Sequence, residues 1–129
     1  MVDLAAGIVD PVAASSLAAV ETPIDVTHLA RMTLGDTSLE REVLQLFDRQ
    51  AGILLARMQQ VTPTAAAAYA HTLKGSSSGI GAFKVARAAE AVENAATRNA
   101  EADVVVAISR LGTAISEARA MIAELLRGH

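Results

Sequence analysis

Apolar residues along this chain fall into helical stripes. Leu44, Phe47, Ala51, Leu54, Met58 and Val61 recur at spacings of 3, 4, 3, 4 and 3, which lines one face of a helix running from about residue 37 to 61. Val104, Ile108, Leu111, Ile115, Ala118, Ile122 and Leu125 repeat at 4, 3, 4, 3, 4 and 3 and predict the clearest helix, from about 101 to 127. Two further helices fit between them. One runs from Pro63 to Gly79 or Gly81, the other from Phe83 to Thr97 with Phe83, Ala86, Ala89, Val92 and Ala96 facing inward.

Punctuation residues divide these segments. Thr37 and Glu40 read as a capping box, each side chain satisfying an orphan backbone N–H. Thr62 and Pro63 read as N-cap and first helical residue. Arg98, Asn99 and Ala100 form a short polar turn. Four helices joined by such turns predict an all-α fold, an antiparallel up-down four-helix bundle with a short N-terminal helical extension. In that extension Pro11 to Val20 reads as one helical piece, and Asp25 starts another that Gly35 ends, with Thr22-Pro23 between them. The expected division is an N-terminal extension over 1–24, helical or mobile, and a bundle over 25–129.

Composition narrows the function. A chain of 129 residues suits one domain. Of these, 28 are alanine and only Phe47, Tyr69 and Phe83 are aromatic, which favours helix over an all-β fold. The absence of cysteine excludes disulfides, a thiol nucleophile and Cys-ligated metals. A net charge of −3 argues against general nucleic-acid binding. His28 and His129 form no metal-binding pair with His71. An acid at Asp3 replaces the Lys or Arg of a secretory signal, and the uncharged stretch from Met58 to Leu73 is too polar to span a membrane. A cytoplasmic protein without membrane, metal or cofactor is therefore expected.

The chemistry concentrates after Ala66. On a helical wheel Ala66, Tyr69, Ala70, Leu73, Ser77 and Ile80 share the inward face, and His71 lies about 160° from Leu73. Beside His71 on the outer face fall Ala67, Lys74, Gly75, Ser78 and Ala82, with Ser76 toward the flank. An exposed imidazole among residues with almost no side chain is open to a protein partner. A lone surface histidine is usually idle, but the collar of small residues and the lysine beside it make this one a candidate. Neutral imidazole, with an ordinary pKa of about 6.5, is a nucleophile near neutral pH and can carry a phosphoryl group. Lys74 one turn along can offset the phosphoryl charge, Gly75 removes the Cβ that would crowd it, and Ser76 and Ser78 offer hydroxyl donors.

The run His71-Thr72-Leu73-Lys74-Gly75-Ser76-Ser77-Ser78-Gly79-Ile80-Gly81-Ala82 resembles the H-x-L-K-G-S-[SA]-x-x-[IVL]-G signature of histidine-containing phosphotransfer domains. The resemblance extends to the four-helix pattern over residues 37 to 127. It implies a stand-alone phosphorelay carrier, with His71 as phosphoacceptor, Lys74 as charge partner and Gly75 giving access. Its implied partners are response-regulator receiver domains and a hybrid sensor histidine kinase, with Mg2+ expected only on the receiver. Family members often place Gln on the following helix near the imidazole, and Glu93 stands at that spacing here. The carboxylate could fix the ring through its other N–H, favour the protonated ring, or repel the phosphoryl group. Glu90 lies one turn earlier.

Lys74 and Lys84 are the only lysines, and Arg87 follows one turn after Lys84, a local basic patch suited to a receiver's acidic pocket. Ala67, Ala82, Lys84 and Arg87 are thus the expected docking residues. No nucleotide-binding motif is present, so the phosphoryl group is received and not generated. The alternative reading is an adaptor or inhibitor that binds a receiver or kinase without transfer. The apolar heptads at 44–61 and 104–125 are read as core in preference to a coiled-coil seam, and a monomer is expected.

Overall fold

The computed structural model describes residues 21–128, and the segment Pro11 to Val20 lies outside them. Five helices follow in order: α1 (Val26–Met32), α2 (Thr37–Gln60), α3 (Pro63–Ile80), α4 (Phe83–Thr97) and α5 (Glu101–Gly128). Helices α2 to α5 are arranged in a ring, each packing chiefly on its two neighbours, with α3 against α4 the most extensive pair. Two residues join α2 to α3, two join α3 to α4 and three join α4 to α5, so successive helices run antiparallel. No helix among the described residues is long and apolar enough to cross a membrane.

Local chemistry sets most boundaries. Thr62 Oγ1 accepts the Ala65 N–H at 3.2 Å and Pro63 opens α3. The start of α2 differs from the expected capping box. Asp36 is the N-cap and accepts the Leu39 N–H at 3.0 Å, while Thr37 is already helical and Glu40 turns back to accept from Thr33 Oγ1. A charged acceptor one residue earlier satisfies the same orphan donors and favours the positive helix terminus.

The core follows the stripes. Leu44, Phe47, Ala51 and Met58 of α2 meet Ala66, Ala70, Leu73 and Ser77 of α3, the inner face of α4, and Val104, Leu111, Ile115, Ala118 and Ile122 of α5. Tyr69, Ile80 and Phe83 are only half-buried. Arg119 reaches from α5 to Asp48 of α2 at 2.9 Å, tying the faces that close the ring.

Short α1 closes the end of the bundle where α3 turns into α4. Ile24 is fully buried, and the Asp25 N–H donates to the Gly81 carbonyl at 2.9 Å. His28 sets its ring against Phe83 with centroids 5.1 Å apart and brings Nε2 within 3.2 Å of the Gly79 carbonyl. Gly81 ends α3 at φ +87, and a Cβ there would sit 2.8 Å from the Asp25 carbonyl oxygen. Both the left-handed backbone and the close approach of residue 25 therefore require glycine. Gly81→Ala is expected to destabilise the protein by about 1–3 kcal/mol, measured by chemical denaturation. An unchanged midpoint would show that the α1 junction carries no strain.

Candidate functional site

Buried Ala66, Ala70, Leu73 and Ser77 fix the rotation of α3, which turns position 71 to solvent. The His71 side chain is 72% exposed. Glycine and serine weaken this half of α3 intrinsically, but the buried Ser77 hydroxyl donates to the Leu73 carbonyl at 2.6 Å and is satisfied within its own helix. On α4, buried Ala89, Val92 and Ala96 fix the rotation in the same way and leave Glu93 at the edge facing α3.

Glu93 joins two of the candidate side chains of α3. Its Oε2 lies 2.8 Å from His71 Nδ1 and its Oε1 lies 2.8 Å from Lys74 Nζ. An ionised carboxylate only accepts hydrogen bonds, so Nδ1 must carry the proton. The neutral ring is then the Nδ1–H tautomer, and its lone pair sits on Nε2. Nε2 makes no hydrogen bond among the described residues. Glu93 thus bonds the ring at Nδ1 and not at Nε2.

Charge and burial fit this arrangement. Partial burial pushes the Glu93 carboxyl up, but hydrogen bonds from Lys74 and then His71 outweigh it and hold the group below its ordinary 4.5. Lys74 is pushed above its ordinary 10.5, chiefly by the hydrogen bond to Glu93. Both are charged at neutral pH.

The collar around His71 is partly as expected and partly not. A Cβ at Gly75 or Gly79 would meet no atom within 4 Å, so neither glycine is demanded by packing. Ser78 is exposed, and Ser76 is half-buried on the flank. Ala82 is not on this surface: it is fully buried. The helical wheel stops at Gly81, where the left-handed residue reverses the chain and carries Ala82 into the core. Ala67 is half-buried against the core and offers only part of its surface.

The basic patch is largely neutralised. Lys84 Nζ pairs with Glu117 Oε1 of α5 at 3.0 Å, and Arg87 makes a two-pronged contact with Glu21. Glu21 also has its carboxyl held low, first by the Arg87 hydrogen bond. Neither acid was singled out from sequence, and separations of 33 and 66 residues left no local signal. Glu90, one turn before Glu93, is exposed.

Comparisons with known proteins agree with this architecture. The Hpt domain family model matches residues 41–128. A rice protein assigned as a histidine-containing phosphotransfer protein has a solved structure of the same fold. Its TM-score is 0.74 at 19% identity, covering 89% of this chain and 86% of that one. No curated protein matches. The chain belongs to the Hpt domain family, whose role is phosphotransfer in phosphorelays together with receiver domains.

Because the Glu93 carboxyl is held low in the fold, its contribution to stability is present above the unfolded value of 4.5 and is lost as pH falls through the lower folded value. Glu93→Gln is therefore expected to melt below the parent at neutral pH, with the gap closing across that acid range. Thermal melts of both proteins against pH check it. A gap independent of pH would mean that the charge of Glu93 contributes nothing to stability.

Proposed function

We propose that His71 is the phosphoacceptor of a phosphoryl carrier. It takes the group from the aspartyl phosphate of a receiver domain, or from a hybrid sensor histidine kinase, and passes it to the aspartate of another receiver. The observation that carries this reading is the exposed His71 ring, whose Nε2 is left unbonded by the Glu93 contact to Nδ1.

In the receiving step the Nε2 lone pair forms the N–P bond while the P–O bond to the donor aspartate breaks, and the aspartate leaves as a carboxylate. The positive charge gained by the ring is spread over Nδ1–H, beside the Glu93 carboxylate. Delivery is the reverse, with the acceptor aspartate as nucleophile. Lys74, one turn along and held by the same carboxylate, stands ready to exchange that contact for the phosphoryl oxygens. Open space over Gly75 and Gly79 lets the partner's active site approach the ring. All these groups come from one bundle, so a single chain is the transferring unit. The divalent ion belongs to the receiver, and the site needs no cofactor of its own. These features support a carrier of the phosphoryl group.

Incubation with a phosphorylated receiver, followed by Phos-tag electrophoresis, tests the proposal. The parent is expected to take up acid-labile label and His71→Gln none. Equal labelling of His71→Gln would overturn the site, and binding that survives His71→Ala without any labelled intermediate would support an adaptor. Lys74→Ala is expected to slow transfer by about 10- to 100-fold, the loss of one charge-assisted hydrogen bond in the transition state. Gly75→Leu is expected to slow transfer while the protein melts no lower, since leucine is the better helix former. Unchanged rates in Gly75→Leu would remove the claim that the glycine gives access.

A further inference from the structure

Helix α2 carries a second apolar line that the core does not use. Leu39, Leu46 and Ile53 are 40%, 46% and 51% exposed. They stand seven residues apart, and each step of seven drifts by only about 20° around the helix. The line therefore runs almost straight along α2, roughly 130° around from the buried Leu44, Phe47, Ala51 and Met58. Single exposed aliphatic residues are ordinary, but an aligned series of them is a feature of contact surfaces.

The charges beside this line are arranged symmetrically. Glu42 and Arg49 lie along one edge, Arg57 follows beyond Ile53, and Asp36 stands at the N-cap. Glu42, Arg49 and Arg57 hold no ion pair among the described residues.

We infer that this face is a contact between two copies of the chain, with their α2 helices antiparallel about a twofold axis at Leu46. Such an interface must be self-complementary, each contact occurring twice. Leu46 then meets its own equivalent, and Leu39 meets Ile53 of the second copy, both being seven residues from the axis. Glu42, four residues before the axis, falls beside Arg49 of the second copy, three after it. Arg57, eleven after, falls beside Asp36 of the second copy, ten before. A parallel pairing would instead set Glu42 and Arg49 beside the opposite edge of the second helix, next to Val43 and Gln50, where neither gains an ion pair, so the charges favour the antiparallel arrangement. A receiver's acidic surface is the poorer occupant, because it would meet Glu42. With three large apolar residues a side, the contact is small, and a dissociation constant on the order of 10–100 μM is expected. The monomer expected from sequence is then the dilute form. The inference does not depend on the role of His71.

Sedimentation equilibrium of the full chain from about 1 μM to 1 mM tests it. The expected result is a reversible monomer–dimer equilibrium. Leu46→Glu places two like charges on the axis and is expected to weaken association by at least about 10-fold. Its side chain is exposed in the monomer, and an unchanged thermal melt of the dilute protein confirms that the fold is kept. Glu42→Arg and Arg49→Glu are each expected to weaken association, and the double variant to restore it. A chain that stays monomeric throughout, a dimer untouched by Leu46→Glu, or a double variant no better than its parents would each overturn the inference. So would Leu46→Glu slowing phosphotransfer with no change in mass, which would assign the face to the receiver.

Discussion

Glu93 can serve His71 and Lys74 together only because α3 and α4 lie close to one another. Distances between helix axes follow the size of the side chains at the contact. Here those side chains are mostly small: Ala66, Ala70 and Ser77 on α3, Ala86, Ala89 and Ala96 on α4. Leucine at these positions would move the helices apart by ångströms, and two contacts of 2.8 Å would not survive. The alanine that looks in composition like a mere helix former is thus also a spacing device. The turn at Gly81 serves the same end, since two residues between α3 and α4 leave little freedom in their relative position.

That closeness has a thermodynamic cost. Alanine buries little apolar area, so a core built from it gains less per residue than one of leucine. The larger buried side chains lie mainly at other contacts: Leu44, Phe47 and Met58 on α2, and Leu111, Ile115 and Ile122 on α5. Burial per residue is therefore greater on α2 and α5, which Arg119 and Asp48 also tie together. The α3 helix, with two glycines that no packing requires, is intrinsically the weakest. Glycine costs about 1 kcal/mol relative to alanine in a helix interior, and that loss is borne by the helix that displays His71.

Local rules explain what could be read from the chain. The stripes of α2 and α5, the Thr62-Pro63 start and the Gly81 stop each depend on residues within a few positions of one another, so they were legible. Asp36 and Thr37 are adjacent and both can cap α2, so the local pattern does not distinguish them. Ala82 differs for another reason: Gly81 ends the helix, so helical periodicity does not govern the residue after it. Glu93 was visible by spacing, but its second contact to Lys74 was not, because that depends on the rotation of α4 against α3. The partners of Lys84 and Arg87, 33 and 66 residues away in sequence, are fixed only by tertiary packing. Leu39, Leu46 and Ile53 show the limit of periodicity in another form. Two apolar lines occur on one helix, and only its neighbours determine which is buried.

The pairing of nearly every cation near His71 changes what the site can offer a partner. A basic patch would attract an acidic surface at long range, whereas Lys74, Lys84 and Arg87 each face a carboxylate at contact distance. The field of such pairs falls off within a Debye length, about 8–10 Å at physiological salt, so attraction acts only at short range. A phosphoryl group on Nε2 would bring between about −1.5 and −2 of charge against one lysine whose charge is already shared with Glu93. The occupied site would then be more negative than the empty one, and a receiver aspartate backed by a divalent cation would be the better home for the group. Pairing Lys74 with Glu93 therefore suits a carrier, because strong retention of the phosphoryl group would slow the delivery on which the carrier depends.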